Sequence, residues 1–586
     1  MTEHNQIARR EAMVDHQIRG RGIGSPAVLD AMRRVPREAF VPDNQRNVAY
    51  HDTPLPIAAN QTISQPYIVA LMIEALDLKG GEKQQLAVGG RLVLPVGTDP
   101  DSQKLLRITR VSEHEFETEN LGAVRFVPLI GEAGWEEPGA GSRRVFGSRG
   151  MSAPDQRLVE RITQVAEPFD SVDELPLDGL LERIGDSRLV LLGEASHGTS
   201  EFYRARQRIT RALIEQKGFD FVAIEGDWPD VAHIDHYVRH AGYPPSEWTA
   251  FARFPTWMWR NEEVRGFVDW LREYNASRDP GARVAFHGLD LYSLYQSIDA
   301  VLEYLEDVDS AAAAAARKDY DCLSPYKPDP AEYGRRVEGA DFANCQAPVA
   351  AVLHNLQAQQ HEYAKHGAER FLNAVQNARL VVSAEAYYRS LYDESHSSWN
   401  LRDTHMFDTL EALLAHHGKG SRGVVWAHNS HLGDSRATEM SRRGELNVGH
   451  LCRQWFGDAA YLIGFGTNTG TVAAAADWDA PMEIKTLRPV LPESYEWLCH
   501  ETGLAGFLLS LGQGADSEVR CSLSTPRLQR AIGVIYRPDT ERASHYFETE
   551  LPRQFDEYIW IDHSHAVTTL DSRELKGMPD TYPFGL

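Results

Sequence analysis

Seven short aliphatic runs recur between residues 187 and 562: SRLVLLGE, FDFVAIEGD, RVAFHGLD, RGVVWAHNS, AAYLIGFG, AIGVIYRPD and EYIWID. Each is too short for a core helix and too continuously apolar for a strand with one wet face, so each reads as a strand covered on both sides. Helical patterns lie between them. Phe202, Ala205, Ile209, Ala212 and Leu213, for example, follow a Thr199/Ser200 cap and make one apolar stripe. Such alternation predicts an α/β fold, a mostly parallel sheet with helices on both faces. From Leu291 to Lys419 strand signals give way to long helical patterns, which predicts a helical insertion over about 291–419.

The first four runs end alike. LVLLG stops at Glu194 and His197, FVAI at Glu225 and Asp227, VAF at His287 and Asp290, and VVWA at His428 and His431. Parallel strands share one C-terminal edge, where open α/β sheets place their ligand crevice. A single Asp or His after a strand is usually a turn former or cap, and Asp227 and Asp290 are assigned that role. Glu194, His197, Glu225, His428 and His431 are the candidate catalytic residues, and His287 is a candidate substrate contact. Arg206, on the helix after the His197 loop, is placed to reach back over the same edge. Trp257 and Trp259, in EWTAFARFPTWMWRNEEV, suit either a core cluster or the wall of a cleft for a bulky apolar ligand.

Two chemistries fit carboxylates beside imidazoles. A histidine oriented by a glutamate can take a proton from water near neutral pH, which is general-base hydrolysis. Alternatively His428, His431 and Glu225 would ligate a metal with one open position. Spacing does not separate the two. Other signatures are missing: there is no GxSxG elbow, no Walker loop and no GxGxxG after a strand. HEYAKH (361–366) has one residue too many for a zinc HExxH, which puts its histidines on different helix faces.

A net charge of −24 argues against a nucleic-acid partner. No apolar stretch is long enough for a membrane span, and the opening MTEHNQIARREAMVDHQIRGRG has no apolar core of the signal-peptide kind, so a cytoplasmic location is expected. The five cysteines are scattered, without a CxxC pair, and read as small core hydrophobes. GEAGWEEPGAGSRRVFGSRGMSAPDQ, rich in Gly, Pro, Ser and charge, reads as a linker over 132–156 between units at 1–131 and 157–586.

LLGEASHGTSEFYRAR, VAIEGDWPD, FPTWMWRNEEV, WNLRDTHM, WAHNSHLGD and ERASHYF occur in this order and resemble the erythromycin esterase family over roughly residues 158–575. The resemblance implies hydrolysis of a macrolide lactone, hence antibiotic resistance, with water activated by His197. Glu194, Arg206, Glu225, His428 and His431 complete the implied site, the partner is a small-molecule ester, and neither a cofactor nor an obligatory metal is expected. The family also looks distantly related to a haem-binding fold, which keeps a metal- or haem-binding module as an alternative.

The N-terminal stretch from MVDHQIRGRG to YIVALMIEAL, with QQLAVGGRLVLPVG and VRFVPLIG, resembles the start and end of a protein-L-isoaspartate O-methyltransferase, making the chain a fusion protein. The middle is missing. After GGEK (80–83) that family has a glycine-rich loop and then an acidic residue for the cofactor ribose, whereas here Lys83 runs straight into Gln84. S-adenosylmethionine needs both features. Ser64 in TISQPY matches the family's active-site serine, but without a methyl donor it has no reaction to perform. A small truncated Rossmann-like α/β unit without methyltransferase activity is expected.

Overall fold

The computed structural model describes residues 9–19, 23–41, 46, 49–50, 55–56, 62–76, 91–99, 102–110, 116–124, 152–240, 251, 255–327, 330–337, 344–390 and 397–570. The chain divides into two compact units, residues 1–149 and 150–586. That division falls within the linker. Residues 132–151 of the linker lie outside the described residues, but its end is helical: Ser152 caps Ala153–Val165 by accepting the Asp155 N–H at 3.2 Å.

In the smaller unit, helices Pro26–Arg34 and Pro66–Leu76 bury Val28, Leu29 and Ala70 against Met13, Val14 and Ile18. Its longer described strands, Arg91–Asp99, Ser102–Arg110 and Phe116–Val124, form an antiparallel meander. No parallel strand–helix–strand crossover occurs among the described residues of this unit. The junction at Lys83 and Gln84 lies outside them.

The larger unit is built on one sheet of β1 (Glu167–Phe169), β2 (Leu189–Leu192), β3 (Phe221–Asp227), β4 (Ala285–Asp290), β5 (Gly423–Trp426), β6 (Ala460–Ala475), β7 (Met482–Leu487), β8 (Gly506–Ser510) and β9 (Glu557–Ser564). Their spatial order is β1-β8-β9-β6-β2-β5-β3-β4, with β7 paired to β6. From β9 to β4 all neighbours are parallel; β1, β7 and β8 pair antiparallel. Alternate residues point to opposite faces. Leu189, Leu191, Phe221, Ala223, Val425 and Leu462 join one apolar cluster, and Val190, Leu192, Val222, Ile224, Val424 and Ile463 join the other. Burial on both faces explains why these strands show no alternating polarity, and each fully buried aliphatic side chain contributes roughly 1.5–3 kcal/mol.

Helix α1 (Ser200–Lys217) follows β2 and carries the predicted stripe inward, ending at Gly218 in the left-handed region (φ 68°). Helix α2 (Trp228–Arg239) follows β3. The described residues between β4 and β5 hold helices and no strand, among them α3 (Leu294–Val308), α4 (Ala368–Ser390) and α5 (Ser397–His417). This helical layer packs on the Leu191 face of the sheet. Two of its cysteines, Cys322 and Cys345, are disulfide-paired with Cα atoms 5.9 Å apart. Cys452 and Cys499 are buried thiols, Cys345 is buried in the same core and Cys521 is exposed, so the core reading holds for three of the five but misses the disulfide.

Six of the seven aliphatic runs are strands. AIGVIYRPD is not: it makes single bridges, through Ile535 to the end of β6 and through Ile532 to the loop after β2, and no continuous ladder. Ile532 accepts from the His197 N–H at 3.3 Å and donates to the Ala195 carbonyl at 2.8 Å, forming isolated bridges that back the loop after β2. Gly198 in that loop is equally constrained: a Cβ there would sit 2.0 Å from the Ala473 carbonyl oxygen. Gly198→Ala is expected to cost roughly 1–3 kcal/mol, read as a lowered thermal midpoint. An unchanged midpoint would mean that loop and strand do not touch.

Candidate active site

β2 is the middle strand at which the chain reverses its order across the sheet, and its C-terminal loop supplies Glu194 and His197. His197 Nδ1 lies 2.8 Å from Glu194 Oε1. The second carboxylate oxygen accepts from Arg206 Nη2 at 2.6 Å, reaching back from α1. Both Glu194 and Arg206 are wholly buried. The guanidinium lies over the rings of Tyr203, Trp426 and Trp259 at 4.3, 5.3 and 5.7 Å, a stacked cage suited to a weakly hydrated cation. With Nδ1–H donated to Glu194, the lone pair of His197 is on Nε2. The Tyr203 hydroxyl, 2.6 Å from the His197 carbonyl oxygen, holds the loop in place.

Glu225 leaves β3 beside a bulge, one extra residue between Ile224 and Asp227 relative to β4. One oxygen of Glu225 accepts the His428 backbone N–H at 2.9 Å, and the other accepts from Arg402 at 2.8 Å with His431 Nε2 at 3.3 Å. Burial opposes ionisation, yet His431 and then Arg402 hold this carboxyl well below the usual range. Arg402 also makes a two-point pair with Asp290 at 3.0 and 2.7 Å. Asp290 is therefore more than the turn former expected, because its carboxylate anchors a cation of the site. Asp227 does tie a turn, accepting from Tyr292 N–H and the Ser293 hydroxyl.

His428 and His431 follow β5. The His428 ring centroid is 5.0 Å from that of His197. Its Nδ1 accepts the Ser430 N–H at 3.2 Å, which puts the ring proton on Nε2. That buried Nε2 meets no hydrogen-bond geometry with a described residue; the nearby Ala195 carbonyl favours the charged ring, but burial and then His197 outweigh it and hold His428 well below the usual imidazole range. His431 is the opposite case. Burial alone would depress it, but Asp403, with both oxygens 3.0 Å from Nδ1, and then Glu225 push it up to about 9. Trp399 stacks on its ring at 4.5 Å.

Six predicted residues thus converge: Glu194, His197, Arg206, Glu225, His428 and His431. The other three are placed differently. β4 continues through His287, whose ring stacks on Trp228 and whose Nε2 lies 3.2 Å from that of His417 on the helical face. Trp257 and Trp259 are both almost wholly buried in the apolar cluster, Trp259 donating to the Glu225 carbonyl at 2.7 Å behind the Arg206 cage. The alternative metal set is committed elsewhere, its donors pairing with Arg402, Asp403 and a backbone N–H; among the described residues no group of three His, Cys, Asp or Glu is arranged to hold a metal ion. Arg402, Asp403 and Trp399 escaped the sequence reading although WNLRDTHM holds all three; adjacent unlike charges in a helical pattern look like a solvated face.

Three buried rings, His287, His405 and His428, and the half-buried His417 stay neutral in the fold, with His405 near 4 and His417 near 3, desolvation being the first cause in each. Because unfolding lets them take up protons, each removes up to about 1.4 kcal/mol of stability per pH unit as pH falls below its unfolded value. Calorimetry should show the thermal midpoint dropping between about pH 6.5 and 4. A flat profile there would mean that the rings are already charged in the native state.

A carboxylate-held imidazole at the carboxyl edge of a sheet covered on both faces is an arrangement suited to a hydrolase with an α/β fold. The profile of the family described as Erythromycin esterase matches residues 214–564, and that of Protein-L-isoaspartate(D-aspartate) O-methyltransferase matches residues 8–84 and 83–134. The chain belongs to the erythromycin esterase family, a family of ester hydrolases, through its larger unit and to the isoaspartate methyltransferase family through its smaller one. The first match begins after Arg206, so Glu194, His197 and Arg206 lie upstream of it. The two methyltransferase pieces meet at Lys83 and Gln84.

A protein-L-isoaspartate O-methyltransferase of Rhodopseudomonas palustris is 37% identical over 207 residues, covering 22% of this chain and 95% of that protein. One from Marinobacter nauticus is 39% identical over 207 residues, covering 22% and 94%. So small a share of this chain spread over 207 positions means that the match bridges a gap. Among solved structures, a Bacillus cereus protein has TM-score 0.60 at 19% identity, covering 71% of this chain and 99% of that one. A histidine-to-asparagine mutant of an erythromycin esterase in its open conformation has TM-score 0.51 at 16% identity, covering 68% and 98%. These likenesses concern the fold. No helix among the described residues is long and apolar enough to cross a membrane.

Proposed function

We propose that the larger unit hydrolyses a carboxylic ester, and that its substrate is a macrolide lactone. The observation that carries this reading is the His197–Glu194 pair at 2.8 Å, braced by Arg206 and 5.0 Å from a second, neutral imidazole. His197 Nε2 takes a proton from water as the oxygen adds to the ester carbonyl; Glu194 stabilises the imidazolium that forms. The His428 Nε2–H and the charged ring of His431 meet the negative charge gathering on the carbonyl oxygen. When the tetrahedral adduct collapses, the C–O bond to the alcohol breaks and His197 returns its proton to the departing oxygen. Glu194, not Glu225, is the orienting carboxylate, because both oxygens of Glu225 are already engaged.

Incubation with macrolides of differing ring size and with simple aryl esters, followed by mass spectrometry, should show products heavier by one water. No product from any of them would sink the proposal. His428→Ala is expected to lower kcat about 10²-fold with little change in KM, as for loss of one donor to a developing oxyanion. A change confined to KM would make His428 a binding residue only.

The match to isoaspartate methyltransferases favours a second reading, methyl transfer by the smaller unit. We propose instead that this unit is inactive, since the two matched pieces abut where the cofactor loop should lie. Calorimetry with S-adenosylmethionine should give no binding heat. Micromolar binding would reinstate the methyltransferase.

A further inference from the structure

Three carboxylates, Glu225, Asp290 and Asp403, surround Arg402 and His431, yet only Arg402 is a fixed cation. With a neutral His431 this buried group would carry two uncompensated negative charges. Arg402 is spent mainly on Asp290, which it binds at two points, so the remaining demand falls on His431. The imidazole sits between the other two acids: Asp403 at Nδ1, both oxygens at 3.0 Å, and Glu225 at Nε2, 3.3 Å. Asp403 is itself pinned by the Val448 N–H at 3.0 Å, and the flat face of the ring is covered by Trp399.

We propose that Asp403 is a positioning residue for this site: through Nδ1 it keeps His431 doubly protonated and facing Glu225, so that the crevice holds one permanent imidazolium beside the neutral His428. The contact of Arg402 Nη1 with His431 Nε2 at 3.1 Å is then a close approach of two donor groups, the guanidinium reaching Glu225 through Nη2 and the imidazole through Nε2, not a hydrogen bond between them. Every charged or titratable group packed on His431 enters the balance: Glu225 from β3, Asp290 from β4 through Arg402, Arg402 and Asp403 from α5, and His428 from the same turn, with His197 beyond it. Burial and the Arg402 charge oppose protonation, and the two acids overcome them. Burial also pushes Asp403 up, while His431 pulls it down. The proton of the pair therefore resides on His431.

The catalytic consequence rests on the hydrolase reading above, but the charge on His431 can be measured without it. In histidine-labelled protein, the His431 ring signal, assigned by its loss in His431→Gln, should titrate near pH 9 in the wild type. In Asp403→Asn it should titrate lower by about two units. With p-nitrophenyl acetate as substrate, Asp403→Asn should lose about tenfold in kcat/KM between pH 6 and 8 where the wild type does not, and Asp403→Glu should restore the alkaline limb. A wild-type His431 titrating at or below the ordinary imidazole value would overturn the proposal. So would an Asp403→Asn variant that is uniformly slower with its pH profile unmoved, the mark of a structural role. If Asp403→Asn does not fold, the wild-type titration alone decides. A His431 signal that moves as stated in a protein hydrolysing no ester would support the charge assignment and remove the hydrolase.

Discussion

Asparagine at position 197 is expected to reduce kcat/KM for ester hydrolysis by about 10²–10⁴-fold while leaving the thermal midpoint within a few degrees of wild type. Asparagine is close to the size of the inner half of the imidazole, and its amide can still donate to Glu194 where Nδ1 now lies 2.8 Å away. What it lacks is a second nitrogen able to hold a proton during turnover. The fold should survive, because the backbone around this position is held by the Ile532 and Tyr203 contacts, not by the ring. Circular dichroism and steady-state rates on one preparation test this. Near-normal turnover would mean that some other group activates the water, and the geometry around Glu194 would need another purpose.

Arg206→Met should unfold the larger unit far more readily, by about 3–5 kcal/mol, since it strands the Glu194 carboxylate with no cation in a site closed to solvent. Methionine fills similar volume, so the loss is electrostatic and not a cavity effect. Combining it with Glu194→Gln should recover most of the stability, because a neutral pair replaces an orphaned charge, yet hydrolysis should stay lost. Denaturant titration of the single and double variants measures both. Equal stability of Arg206→Met and wild type would show that Glu194 is not ionised in the fold.

Much of this architecture could be read from the runs themselves. LVLL, FVAI and VVW lie in strands buried on both faces, and such strands advertise themselves by unbroken aliphatic sequence. β6 was harder: its continuation GFGTNTG is polar and glycine-rich because Gly464 and Gly466 lie against the Phe555 and Tyr558 rings, where a Cβ would collide. Glu167–Phe169 is a three-residue strand too short and too proline-broken to stand out, and Gly506–Ser510 is an unremarkable GFLLS with no carboxylate after it. Glu194, His197, His428 and His431 were legible because they follow strands. His287 was misplaced because β4 runs four residues past Phe286, to Asp290, and the ring falls on the helical face. Arg402 and Asp403 could not be found by that rule, because they come from a helix that approaches the edge sideways, and nothing local distinguishes an arginine that crosses to a sheet from one that faces water.

That sideways approach has a consequence for engineering. Since α5 belongs to the helical insertion and yet delivers Trp399, Arg402 and Asp403 to the edge of the sheet, the insertion is not an optional cap that can be trimmed or exchanged to reshape substrate preference. A chimera that imports another insertion imports its counter-ions too, and one lacking an acid at this position would inherit a site whose His431 gives up its resting charge before any ester arrives.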